Sequence, residues 1–178
     1  EVGNTKEIAQ ALDSLQKMRV DFVKITDNTL KPDLFLEAIK LARQRGYPVS
    51  AHIPSALTME QIANAGLSSV EHLGYALKGG SKVEKEISAE VASGTLKGKA
   101  FNQKVMDTFD ETAALSTYRN MAKHGMYVTP TLSLNYILTY FEKDNHKNDS
   151  YLQYIGKGLQ KTYEGRVKRV EQDDAEAI

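Results

Sequence analysis

Apolar and polar positions alternate with a period of two in three short runs: Val20–Thr26 (VDFVKIT), Pro48–Ile53 (PVSAHI) and Ser69–Leu73 (SVEHL). Each reads as a strand with a polar residue near its end. In the first, Val20, Phe22, Lys24 and Thr26 share one face, and Val23 and Ile25 the other. In the second, His52 shares a face with Ser50, whereas Val49, Ala51 and Ile53 point towards covering helices.

Between these strands the period changes to that of helices. Ile8, Ala11, Leu12, Leu15 and Met18 mark an amphipathic helix over residues 4–19, with Thr5 as its cap. Pro32 opens a second helix, Phe35, Ala38, Ile39 and Ala42 form its packed stripe, and Gly46 stops it. Thr58 to Gln61 has capping-box spacing, and Gly66 ends the short helix that follows. One helix per connection predicts parallel strands, so Lys24, His52 and His72 should reach the same edge of one sheet. Open α/β sheets and barrels do their chemistry at that edge.

After His72 the rhythm breaks. A fourth strand is expected only at Tyr127–Ser133 (YVTPTLS), preceded by a helix from about Val105 to His124 with Leu115, Tyr118, Met121 and Ala122 inward. Residues 75–104, rich in Gly, Lys and Glu, are therefore an insertion at the histidine edge, read either as a lid or as a solvated helical decoration. Beyond it, Tyr136, Ile137, Tyr140, Phe141, Tyr151, Leu152, Tyr154, Ile155 and Leu159 fall at helical spacing and read as a core-facing stripe. His124 reads as structural in a last helical turn, and His146 as a solvated loop residue.

With 178 residues, 41% hydrophobic and 26% charged, the chain is long enough to bury a sizeable core. Lys plus Arg and Asp plus Glu number 23 each, which leaves no excess positive charge to draw nucleic acid or anionic lipid. Neither a nucleic-acid nor a membrane partner is expected. The lack of Cys excludes thiolate metal sites and thiol nucleophiles but leaves the compartment open. Lys24 stands out, because a buried ammonium costs several kcal/mol, to order of magnitude, unless it is paired or chemically changed. A strand-end lysine that snorkels to water is the plain alternative.

Taken in order, VDFVKI, PVSAHI followed by a helix ending in AGL, SSVEHL and YVTPTLS resemble the middle of the amidohydrolase superfamily, in its imidazolonepropionase-like and prolidase-like branch. The resemblance covers about Val20 to Ser133. It implies a (β/α)8 barrel with one or two divalent metals, zinc by expectation, at the C-terminal strand ends. Lys24 is similar to the fourth-strand lysine, which bridges two metals when carboxylated. His52 and His72 are similar to the fifth- and sixth-strand ligands, and the latter position binds water or substrate in mononuclear relatives.

The family's first-strand HxH and last-strand Asp have no counterpart here, and a full barrel needs about 250 residues. The expectation is an α/β fold comprising part of a barrel: about four parallel strands, strands four to seven, with covering helices, over residues 1–178. Its implied activity is metal-dependent hydrolysis of C–N bonds in a small amide, cyclic amide or dipeptide. A divalent metal lowers the pKa of bound water to about 7, yet with so few ligands the chain is expected to be inactive alone, with Lys24 unmodified. Self-association through the open sheet edges is a further expectation. Two rivals stand beside this one: a non-catalytic α/β module that binds a ligand or partner, with structural histidines, and a barrel lyase using Lys24 as a Schiff-base nucleophile.

Overall fold

Val23, Val49, Ala51 and Val70 alternate with polar neighbours, and all four are buried against helices, which sets one apolar face for the sheet. The computed structural model describes residues 2–26, 30–140, 146 and 148–175. Its strands are β1 (Val23–Ile25), β2 (Val49–Ala51), β3 (Ser69–Glu71) and β4 (Tyr127–Thr129), in the order β1-β2-β3-β4 and all parallel. The fold is α/β, an open four-stranded parallel sheet flanked by helices, consistent with part of a barrel and not closed into one. Strands β1 and β4 lie at its two edges.

Nine helices are described: α1 (Thr5–Lys17), α2 (Pro32–Gln44), α3 (Met59–Ala65), α4 (Leu73–Gly79), α5 (Glu84–Ala92), α6 (Gly98–Asp107), α7 (Glu111–Lys123), α8 (Leu132–Thr139) and α9 (Lys157–Ala175). The chain divides into two compact units, Glu1–Pro130 and Thr131–Ile178. In the first, Phe35, Ile39 and Ala42 of α2, Ile62 and Ala63 of α3 and Met121 of α7 join the buried strand residues in one core. Helix α1 packs on α2, and α7 on α3 and α4.

Local signals set the ends of these helices. Asn4, not Thr5, caps α1 by accepting from the Glu7 amide at 3.0 Å. Thr58 and Gln61 close a reciprocal capping box on α3, which stops at Gly66 in the left-handed conformation. Pro32 starts α2, as its fixed backbone angle favours.

Several expected boundaries move. The first strand begins at Val23, because Arg19 (φ 55°) turns the chain out of α1 and Val20 still donates to the Leu15 carbonyl. The last ends at Thr129, because Pro130 has no N–H to continue a ladder, and Leu132 and Ser133 are already helical. The single helix expected over 105–124 is two. Asp110 caps α7 through the Ala113 amide at 2.8 Å, and the turn before it pairs with the chain at Ser81, where Asp110 N–H donates to Gly80 O and Lys82 N–H to Thr108 O. Ala114 takes the buried place expected of Leu115, which is 53% exposed.

The insertion is helical, with an exposed outer face and a buried inner one. It holds most of α4, all of α5 and most of α6, and it buries Ala76, Lys78, Ser81, Ile87 and Ser88. In the second unit, α8, a 3-10 turn over Ser150–Tyr154 and α9 carry the aromatic stripe. No described side chain there is fully buried, and Tyr154 is 81% exposed, so within that unit the stripe faces no second layer. Phe141 lies outside the described residues.

Candidate functional site at the carboxyl edge of the sheet

The polar face of the sheet carries a row across all four strands. The register sets Lys24 beside Ser50, Ser50 beside Ser69, and Glu71 beside Thr129. Lys24 Nζ lies 3.3 Å from Glu71 Oε1 and 3.5 Å from Ser50 Oγ, and the Ser50 hydroxyl donates to the same carboxylate oxygen at 2.5 Å. Glu71 is held below the usual carboxylate range. The Ser50 hydrogen bond is the main cause, acting against partial desolvation, with further help from Lys24 and Thr129.

Lys24 thus falls between its two readings: it is half-buried and paired with Glu71, neither fully enclosed nor free in water. A carbamate in its place would set an anion against Glu71.

One residue beyond the strands lie the two histidines. The His52 amide donates to Ile25 O at 3.0 Å and the His72 amide to Thr129 O at 2.8 Å, so each ring hangs from a backbone still tied into the ladder. The rings stack, with centroids 4.8 Å apart and planes 23° apart, and their Nε2 atoms are 3.0 Å from one another. His52 Nδ1 is 2.6 Å from the Thr26 carbonyl, which only accepts, so Nδ1 carries a proton. In the neutral ring the lone pair is then on Nε2, and the proton between the rings belongs to His72 Nε2.

His72 itself has φ 72° and ψ 137°, a combination rare outside glycine and costing about 1–3 kcal/mol. That kink turns β3 abruptly into α4, and it sets the imidazole against His52.

Imidazole nitrogens that share a tetrahedral zinc at the usual bond length lie roughly 3.3 Å apart. The pair is close to that spacing, and a carbonyl fixing the far nitrogen is the support that metal-binding histidines generally have. Among the described residues, no group of three or more His, Asp or Glu side chains could hold an ion. The residues thus fit a divalent metal as two of its ligands, not as a complete set.

The sequence brought forward Lys24, His52 and His72, and the structure joins the two histidines directly and ties Lys24 to Glu71 beside them. Glu71 was missed; the signal for it was Val70, whose apolar side chain sets Ser69 and Glu71 on the opposite, polar face of the strand. Of the other histidines, His124 ends α7 with Nδ1 2.8 Å from Asn120 O, and His146 pairs with Asp149 at 2.9 Å.

No family model matches the chain, and no curated protein or solved structure matches it. Among the described residues no helix is long and apolar enough to cross a membrane.

Proposed function

We propose that His52 and His72 form part of the metal site of a hydrolase that cleaves carbon–nitrogen bonds in a small amide, cyclic amide or dipeptide, of the amidohydrolase type that the sequence blocks resemble. The observation that carries this reading is the 3.0 Å approach of the two Nε2 atoms, with His52 locked in one tautomer by Thr26.

A divalent ion such as zinc, when bound there, supplies Lewis acidity toward a substrate carbonyl oxygen. The chain's own residues prepare the place. Thr26 holds the His52 ring so that its Nε2 lone pair points at His72, and transfer of the His72 ring proton from Nε2 to Nδ1 would present a second lone pair at the same point. Ser50 and Lys24 keep Glu71 ionised one residue before His72. Lys24 would bridge two metals only if carboxylated, and Glu71 would first have to release it. Two imidazoles hold an ion weakly, so tight binding and a general base require further donors, and the chain alone is expected to be inactive.

Zinc titration at neutral pH, followed by calorimetry and by the nitrogen resonances of the histidine rings, tests the reading. One weak site should perturb Nε2 of both His52 and His72, and His52→Ala and His72→Ala should each abolish it while His124→Ala does not. Equal zinc affinity in all three variants would sink the proposal. The Lys24–Glu71 pair favours a second reading, a non-catalytic module that binds a ligand or partner, in which the imidazole contact is only a hydrogen bond. On that reading zinc leaves both rings unshifted.

A further inference from the structure

His72 also forms part of the wall of an open cleft of about 440 Å3. The remaining wall comes largely from α4 and α6, the two helices that the insertion places beside the sheet edge. Leu77, Phe101, Val105 and Met106 supply its apolar surface, and Asn102 supplies an amide. No Lys, Arg, Asp or Glu lines it, in a chain of which 26% is charged. Met106 is 62% exposed.

Three features point to a ligand rather than to loose packing. The volume is that of a small-molecule site, about 300–1,000 Å3. An uncharged apolar wall rejects ionic groups, which would lose hydration without gaining a partner. The α4 side of the wall is also fixed in place: Lys78, one residue after Leu77, is tied to the Ser55 and Leu57 carbonyls, so that side is preformed.

We propose that this cleft takes an aromatic or branched aliphatic arm of an uncharged amide whose carbonyl lies at the His52–His72 pair. The substrate class this names, an amide with one bulky apolar substituent, rests on the reading of the pair given above. The insertion then sets specificity, and the strand ends supply the chemistry.

The test is titration of the nitrogen-15-labelled chain, without metal, by four probes: N-acetylphenylalaninamide, N-acetylleucinamide, N-acetylalaninamide and N-acetyllysinamide. The phenylalanine and leucine amides should give saturable shifts at Leu77, Phe101, Val105 and Met106, and bind about tenfold or more tighter than the alanine amide. The lysine amide should bind no tighter than the alanine amide. Met106→Glu, at an exposed position that folding does not depend on, should weaken the phenylalanine amide by about tenfold with the rest of the spectrum unchanged.

Shifts scattered over the surface, equal affinity for the four amides, or full affinity in Met106→Glu would overturn the cleft. The zinc titration is a separate readout. Selective binding of the apolar amides with no zinc at the histidines would uphold the cleft and remove the hydrolase reading. Zinc at the histidines with no selective binding would do the reverse.

Discussion

Lys24 and Lys78 each meet a glutamate and a serine, and their surroundings have opposite electrostatic consequences. At the sheet edge the Lys24 and Glu71 side chains keep 29% and 18% of their surface in water. Hydrogen bonding wins there, and the Glu71 carboxyl is pulled down. In the insertion the Lys78 and Glu84 side chains keep 1% and 13%, and their atoms are 3.6 Å apart. Burial wins there: it pushes the Lys78 ammonium down and the Glu84 carboxyl up, each against the pull of the other. Depth, not the kind of partner, decides the direction.

Lys78 survives at that depth because its three N–H groups all have acceptors: Leu57 O at 2.5 Å, Ser88 Oγ at 2.8 Å and Ser55 O at 3.1 Å. Glu84 in turn accepts from the Met59 amide at 2.8 Å. The cluster bolts the insertion to the start of α3. Breaking it should give the largest effect in the molecule. Lys78→Ala is expected to lower stability by about 3–5 kcal/mol, because two carbonyls and a mostly buried carboxylate lose their partner at once. Urea denaturation measures this, and Lys78→Met combined with Glu84→Gln should recover part of the loss. A cost no larger than that of a surface lysine would mean that depth does not govern this pair.

The comparison sharpens with pH, since the two glutamates should act with opposite sign. Glu71 has a folded pKa below its ordinary 4.5, so its contribution is present above 4.5 and is lost as pH falls through the folded value. Glu84 has a folded pKa above 4.5. Between 4.5 and that higher value the folded state keeps a proton that the unfolded state has released, so stability falls as pH rises. Lys78, lowered from 10.5, adds a rise in stability between its folded value and 10.5. Denaturation midpoints of the wild type relative to Glu71→Gln should therefore climb with pH up to about 4.5, and those relative to Glu84→Gln should decline above it. Parallel curves for the two variants would show that both carboxylates sit in the same environment.

The sequence announced the shallow lysine and concealed the deep one. Lys24 stood between Val23 and Ile25 in an alternating strand, a setting where any charge draws notice. The strand and helix alternation, the capping box at Thr58 and the stop at Gly66 were legible for the same reason: each is a local signal. Lys78 lay in ALKGGSKVEKE, where composition implies a solvated surface, and its acceptors are carbonyls at Ser55 and Leu57 that no pattern encodes. The paired glycines had a packing reason as well. A Cβ on Gly79 would come within 2.5 Å of Met59 Cγ, and one on Gly80 would run into the Phe109 ring, so α4 presses directly on its neighbours. The convergence of His52 and His72 was legible from strand ends, but the tautomer was not, since it depends on which carbonyl the His52 ring meets.

The smallest expected effect is at Lys24, where the same kind of pair is near water. Lys24→Met keeps the unbranched stem over the sheet and removes only the ammonium. The Ser50 hydroxyl still donates to Glu71 at 2.5 Å, so the carboxylate keeps its strongest partner and its remaining contact with water. What is lost is one part-exposed ion pair, about 1 kcal/mol or less. Adding salt should shrink even that, because screening reaches exposed pairs first. Urea midpoints of Lys24→Met and the wild type, compared at low and high salt, measure both parts. If the difference approached that of Lys78→Ala and ignored salt, the ammonium at the sheet edge would be acting as a buried charge. The polar row would then owe its order to Lys24 rather than to Ser50.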